Sequence, residues 1–342
     1  MRLFRCPHCS ELLFFDNHRC LSCGTEVAFD RSLHAFLAVG GDGVVRCANA
    51  GAAKCNWRAL PEHPEGLCEA CAFNRTVPPL DHAEACGNWG VLEGEKRRLL
   101  AQLDRLGLWP PSFSEKPDGG LAFDFLQPLP DEPVTTGHAD GVVTLNVSEG
   151  DPARREAMRL RLGEPYRTVL GHFRHEIGHY YWLRWSGDAG FLERCRSVFG
   201  DDREDYAASL QRHYESSPPA DWHQHYISAY ASAHAWEDWA ESWAHLLHLL
   251  ASLESAAAVG LGFPAASEAF FQNCPSIADP YDAEIDDFPR LLEGWFRLSC
   301  ATNLLNRSVG QPDVYPFALS PEVTRKIGFI FEEIRRHREA GS

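Results

Sequence analysis

No stretch of this 342-residue chain approaches the roughly 20 consecutive apolar residues that a membrane-spanning helix requires. The opening residues, Met1-Arg-Leu-Phe-Arg-Cys-Pro-His-Cys, run straight into cysteines and lack the apolar core of a secretion signal. The reading is therefore a cytoplasmic protein with no membrane partner. Positive charge is also scarce: 32 Lys and Arg stand against 48 Asp and Glu, for a formal charge of −16. That balance disfavours sequence-independent binding to nucleic acid or anionic lipid. Even the first 75 residues, where cysteine-rich modules often carry basic stripes, hold eight Lys/Arg and eight Asp/Glu. Low-complexity segments are absent, and 44% hydrophobic residues exclude wholesale disorder.

What the chain does have is cysteine, twelve in all, eight of them within the first 71 residues. Without an export signal, paired Cys-x-x-Cys points to metal rather than to disulfides. Cys6, Cys9, Cys20 and Cys23 form two knuckles separated by a short hairpin, a spacing that can present four thiolates tetrahedrally to a structural zinc. Cys47, Cys55, Cys68 and Cys71 are less regular but include one knuckle and supply a second set of four. Zinc would contribute folding free energy on the order of 10 kcal/mol per site in such modules. Cys86, Cys195, Cys274 and Cys300 have no such partners and read as buried small hydrophobes.

Three regions follow from the pattern. Residues 1–80 carry β-prone runs at Leu12–Phe15, Val27–Phe29 and Leu33–Val39, a ribbon domain with two four-cysteine zinc sites. Residues 81–111 read as a helical linker, with a helix from Leu92 to Leu108 ended by Pro110 and Pro111. Residues 112–342 form the larger domain, with strands at Leu121–Leu126 and Gly141–Val147. Helices are expected at about 153–186, 222–253 and 282–306, and a last one from Ser320-Pro321, a proper N-cap with Pro in the first turn. The fold class is α+β: a cysteine-rich zinc-ribbon domain, then a mainly helical one.

The chemistry centres on His175-Glu-Ile-Gly-His179. Histidines at i and i+4 lie on one face of a helix and can reach one metal ion. Zinc lowers the pKa of a bound water to about 7, and Glu176, one residue on, can act as general base when that water attacks a carbonyl. A third ligand should come from the segment His234-Ala-Trp-Glu-Asp-Trp-Ala-Glu-Ser-Trp-Ala-His. Glu237 and Glu241 share a face there: one can bind zinc while the other accepts a hydrogen bond from the free nitrogen of a metal-bound histidine. Glu237 is the leading choice of ligand, with Asp238, Glu241 and His245 as alternatives. Glu-x-x-x-Glu usually marks a solvated helix face, but Trp236, Trp239 and Trp243 surround this pair.

A His-Glu-x-x-His followed by Glu-x-x-x-Glu resembles the Glu-zincin peptidases. That resemblance implies Glu237 as ligand and Glu241 as support for a histidine. It also implies Tyr230, seven residues before Glu237, as a donor to the developing oxyanion. The whole chain resembles a bacterial family of zinc-binding metallopeptidases with an N-terminal zinc-ribbon domain. The match rests on the paired knuckles, Phe173-Arg-His-Glu-Ile-Gly-His-Tyr-Tyr-Trp, Ser228-Ala-Tyr-Ala-Ser, Trp236-Glu-Asp-Trp-Ala-Glu and Leu305-Asn-Arg-Ser-Val-Gly-Gln-Pro-Asp-Val-Tyr-Pro-Phe.

The expected function is hydrolysis of a peptide or isopeptide bond in a peptide or protein substrate, with one catalytic and two structural zinc ions. The competing reading is an interaction module, in which the ribbons recruit a protein partner and the metallopeptidase-like domain is inactive. The Asn306–Phe317 loop, with Gly310, Pro312 and Pro316, is expected either to position the last helix or to line a cleft with Arg307, Asp313 and Tyr315.

Overall fold

Short strands joined by cysteine turns and a long run of helices give the computed structural model its two parts. It describes residues 2–129, 131–263, 276–282 and 287–341. The chain divides into two compact units, Arg2–Phe173 and Arg174 onward.

The N-terminal unit opens with two antiparallel hairpins. β1 (Phe4–Arg5) pairs with β2 (Leu12–Leu13), and β3 (Val27–Asp30) with β4 (Ala35–Ala38). Strands this short bury little by themselves. Their aromatic residues make up for it: Phe4, Phe15 and Phe36 all meet Phe29 edge-on at 5.3–5.7 Å, and Trp57 lies 5.2 Å from the same ring. A four-stranded sheet follows in the order β5-β6-β8-β7, built from β5 (Asn74–Thr76), β6 (Ala122–Leu126), β7 (Gly137–Ala139) and β8 (Val142–Asn146). β5, β6 and β8 run parallel and β7 is antiparallel. Ala122, Phe123, Asp124 and Phe125 are all buried, as expected of a central strand covered on both faces.

Helix α1 (Ala83–Arg105) covers this sheet. It starts at Ala83 rather than at Leu92, because the His82 side chain accepts from the Ala85 amide and caps the turn. Three of its charged residues, Glu93, Lys96 and Arg97, are turned inward. Glu93 and Lys96 are fully buried, paired at 2.8 Å, and Lys96 Nζ sits 5.4 Å from the ring centres of both Phe123 and Phe125. The expected single helix over 153–186 is two: α2 (Pro152–Leu162) stops at Gly163, which takes the left-handed φ of 66° that glycine tolerates, and α3 (Val169–Trp185) begins afterwards. The side chain of Phe173 packs on Phe123 at 5.7 Å.

The C-terminal unit is helical. It holds α3 from Arg174, then α4 (Ala189–Phe199), α5 (Tyr206–Glu215), α6 (Trp222–His225), α7 (Ala235–Ala258), α8 (Phe288–Ser308) and α9 (Pro321–Gly341). The expected helix over 222–253 is interrupted by a 3-10 turn at Tyr230–Ala233 and an extended His234, whose imidazole caps α7. Helices α4 and α5 were not anticipated; each is short and starts at an aspartate cap, Asp188 or Asp205. Of the 282–306 stretch, residues 283–286 lie outside the described residues, as does Cys274. The core is a cluster of rings: Trp182, Trp185, Phe191, Trp239 and Trp243, with His337 stacked on Trp185 at 3.9 Å. A cysteine-rich region followed by a mainly helical part with a small sheet is the α+β architecture expected. Among the described residues, no helix is long and apolar enough to cross a membrane.

The buried Glu93–Lys96 pair yields a stability test. Replacing Lys96 by Met should leave a buried carboxylate short of its counter-charge and cost about 3–5 kcal/mol in urea unfolding. Adding Glu93→Gln should restore most of it. A loss under about 1 kcal/mol would mean that Arg97, 3.8 Å from the same carboxylate, compensates alone.

Candidate metal centres

Both cysteine sets assemble. Within each, one Sγ from every residue lies within 4.8 Å of the others. Cys6 and Cys23 are 3.7 Å apart, Cys9 and Cys20 3.6 Å, and Cys55 and Cys68 3.6 Å. A disulfide would need about 2 Å. The edge of a tetrahedron with Zn–S of 2.3 Å is about 3.8 Å, so these are metal spacings. The first set is half open, with Cys9 and Cys23 exposed; the second is wholly buried. Of the remaining cysteines, Cys195 is buried as expected, whereas Cys86 and Cys300 are only half-buried.

The third centre depends on how closely α3 and α7 approach. Gly178 makes this possible: a Cβ there would stand 3.0 Å from Ala240 Cα and 3.2 Å from the Trp243 side chain. Trp239 donates its indole N–H to the Gly178 carbonyl at 2.9 Å and fixes the register between the two helices. With the helices locked this way, Glu237 faces the two histidines.

His175 Nε2 and His179 Nε2 lie 3.1 Å apart, and Glu237 Oε2 is 3.1 Å from the first and 3.6 Å from the second. Ligands at 2.0–2.1 Å from a tetrahedral centre would stand about 3.4 Å apart. Glu237 has 0% exposure, and its buried Oε2, which makes no hydrogen bond of good geometry among the described residues, has the two imidazole nitrogens as its polar neighbours. A buried carboxylate oxygen left in this state is costly unless a cation meets it. Two imidazole nitrogens and one carboxylate oxygen suit zinc, and three ligands leave a fourth position for water or substrate. The residues present fit the ion.

The other candidates for third ligand are engaged elsewhere. Asp238 pairs with Lys326 at 2.6 Å, and burial pushes its carboxyl up to about 7 despite that cation. His245 bonds the Tyr315 hydroxyl at 2.7 Å, and burial holds its pKa down at about 4. Glu241 lies 2.8 Å from His175 Nδ1 through Oε1, the nitrogen opposite the metal position. Burial works against charge on His175 and Glu237 alike, yet their mutual contact outweighs it, aided at His175 by Glu241. His175 is held well above the usual imidazole range and Glu237 well below the usual carboxylate range.

Glu176 is 8% exposed, and its charge is felt at His175, Tyr206 and Tyr230. Tyr230 stands in the 3-10 turn before α7, its ring centre 6.0 Å from that of His175. Two partners of the site had not been singled out. Ser228 donates to Glu241 Oε2 at 2.6 Å while its oxygen accepts from the Ala231 amide, so it supports the acid and the turn that carries Tyr230. It did lie within the Ser228-Ala-Tyr stretch. Tyr206 donates to Glu237 Oε1 at 2.6 Å and gave no signal of spacing or composition. The loop after α8 is tied back to the end of that helix: Arg307 holds Asp313 through two bonds of 2.6 Å, and Asn303 bonds the Tyr315 backbone at both its N–H and its carbonyl.

Residues 85–333 match the family described as "Putative zinc-binding metallo-peptidase". The chain belongs to that family. Residues 3–82 match a zinc-ribbon domain. Uncharacterized proteins of Mycobacterium bovis and Mycobacterium tuberculosis are 41% identical over 332 residues, covering 96% of this chain and 94% of theirs. No solved structure matches the chain. Family and cysteine geometry together support zinc as the metal.

If Gly178 is what lets the helices meet, Gly178→Ala should overpack the contact and cost about 1–3 kcal/mol of stability. Thermal melting would detect it. An unchanged midpoint would show that α7 can shift without loss.

Proposed function

We propose that this chain is a zinc-dependent hydrolase of peptide or isopeptide bonds, working on a peptide or protein in the cytoplasm. The catalytic ion is held by His175, His179 and Glu237, and two further zinc ions are structural, one in each set of four cysteines. The observation that carries the reading is the buried Glu237 Oε2 converging with two imidazole nitrogens, 3.1 and 3.6 Å away. Within this reading, residues 1–80 are the ribbon domain, 81–111 a helical connection and 112–342 the catalytic domain.

A zinc ion there would supply the Lewis acidity that activates water and polarises a carbonyl. The protein does the rest. Glu241 holds the His175 ring through Nδ1, leaving Nε2 as its ligand atom. Glu176 would take the proton from attacking water and return it to the leaving amine. Burial and the Glu237 charge push the Tyr230 phenol up, so Tyr230 keeps its proton and can donate to the carbonyl oxygen as charge develops.

Elemental analysis should find three zinc ions per wild-type chain and two in Glu237→Ala. Two in both would move the reading to the interaction module. Glu176→Gln should keep three zinc ions while cleavage of a mixed peptide library falls by about 100-fold or more. Undiminished cleavage would remove Glu176 from the mechanism.

The third site should also depend on pH. Binding requires neutral His175, whose pKa is raised in the metal-free chain, so affinity is complete above that pKa and lost below it. The decline should be about tenfold per pH unit. A flat profile across that range, read by chelator competition, would count against His175 as ligand.

A further inference from the structure

Tyr206 opens α5, far in sequence from both motif helices, yet its hydroxyl reaches Glu237 Oε1 at 2.6 Å. Its position is not incidental. His234 is buried at the head of α7, where its Nδ1 accepts from the Trp236 amide at 3.1 Å. That bond requires the proton on Nε2, which donates to the Glu204 carbonyl at 3.2 Å. One imidazole thus ties the segment leading into α5 to the first turn of α7, two and three residues from Tyr206 and Glu237 respectively. The Tyr206 ring packs edge-on against the same His234 at 5.3 Å and lies 5.4 Å from Trp236. A phenol keeps its proton at neutral pH, so the Tyr206 hydroxyl is a donor to the carboxylate.

We propose that Tyr206 is a positioning residue for the metal centre, its hydroxyl occupying Glu237 Oε1 so that only Oε2 is offered to the ion. The inference rests on the zinc site of the preceding section. A carboxylate free at both oxygens can turn or bind through both. Held at one, it supplies a single ligand atom and keeps the fourth position clear.

The test is Tyr206→Phe in the full chain, with Tyr214→Phe, an exposed ring on the same helix, for comparison. Zinc affinity of the third site is measured by competition with a chromophoric chelator, the two thiolate-bound ions reporting that the chain is folded. Cobalt exchanged into the third site reports coordination number through its visible absorption. The expected result for Tyr206→Phe is a third site weakened about 10- to 100-fold, with reduced cobalt absorption as the carboxylate becomes bidentate. Tyr214→Phe should match wild type in both. Unchanged affinity and spectrum in Tyr206→Phe would overturn the proposal while leaving the zinc site standing. A wild-type chain that binds only two ions would instead remove the zinc site, and this inference with it.

Discussion

A carboxylate with no solvent exposure sets the conditions for the whole C-terminal unit. Moving such a charge out of water costs several kcal/mol even after relaxation, so each of its oxygens has to be met. Glu237 meets this through two separate partners, the Tyr206 hydroxyl on one oxygen and the histidine pair on the other. Neither partner is near it in sequence. The histidine contact requires α7 to lie tightly against α3, which depends on the bare backbone of Gly178 and on the Trp239 indole bonded to its carbonyl, whereas the Tyr206 contact depends on the His234 bridge to α5. The ring cluster of Trp182, Trp185 and Trp243 supplies apolar burial around this polar line, and the burial is what makes the line exacting.

α7 acts as the hub because its polar residues point to different partners. Asp238 goes to Lys326 on α9, which also donates to the His225 carbonyl; Glu241 to His175 and Ser228; His245 to Tyr315 in the loop after α8. Each joins one more segment to the helix that carries Glu237. For the Asn306–Phe317 loop this favours the structural role over the cleft-lining one. Arg307 and Asp313 satisfy each other, and Tyr315 is spent on Asn303 and His245.

What could be read from the sequence was whatever chemistry writes as a short, fixed spacing. Cys-x-x-Cys and His-Glu-x-x-His are local because the ligands of one ion sit on one turn, and the structure gathers both sets as such spacings demand. Glu237 was legible one step less directly, through its distance from Glu241 and the tryptophans around it. Tyr206 was not legible, since its pairing with Glu237 crosses 31 residues and depends on a bridging His234. Helix ends failed for a related reason. Gly163 and the extended His234 break what periodicity alone reads as continuous helix, and the amphipathic pattern is blind to such single-residue conformations. The burial of Glu93, Lys96 and Arg97 was not legible either, because charge on a helix carries no mark of which face the tertiary fold covers.

That buried run shows the same electrostatic logic in the opposite sense. Four thiolates around one divalent ion leave surplus negative charge, and in the second cysteine set all four are inaccessible to water. Arg97, 5% exposed, lies in the field of Cys55, Cys68 and Cys71 as well as of Glu93; burial alone would lower its pKa, but those charges keep it firmly protonated. It is anchored by a bond to the Lys54 carbonyl at 3.1 Å, next to the second cysteine of the set. The closed four-thiolate site thus has a cation behind it, whereas the His-His-Glu site has Glu241 behind one histidine and Glu176 close by. An anionic neighbour raises the basicity of a histidine ligand, and under the proposed function Glu176 would receive a moving proton, which a closed thiolate site does not need. The charge of the surrounding residues thus differs between the two kinds of site in the same sense as the ligand sets, one closed by four thiolates and the other leaving a fourth position.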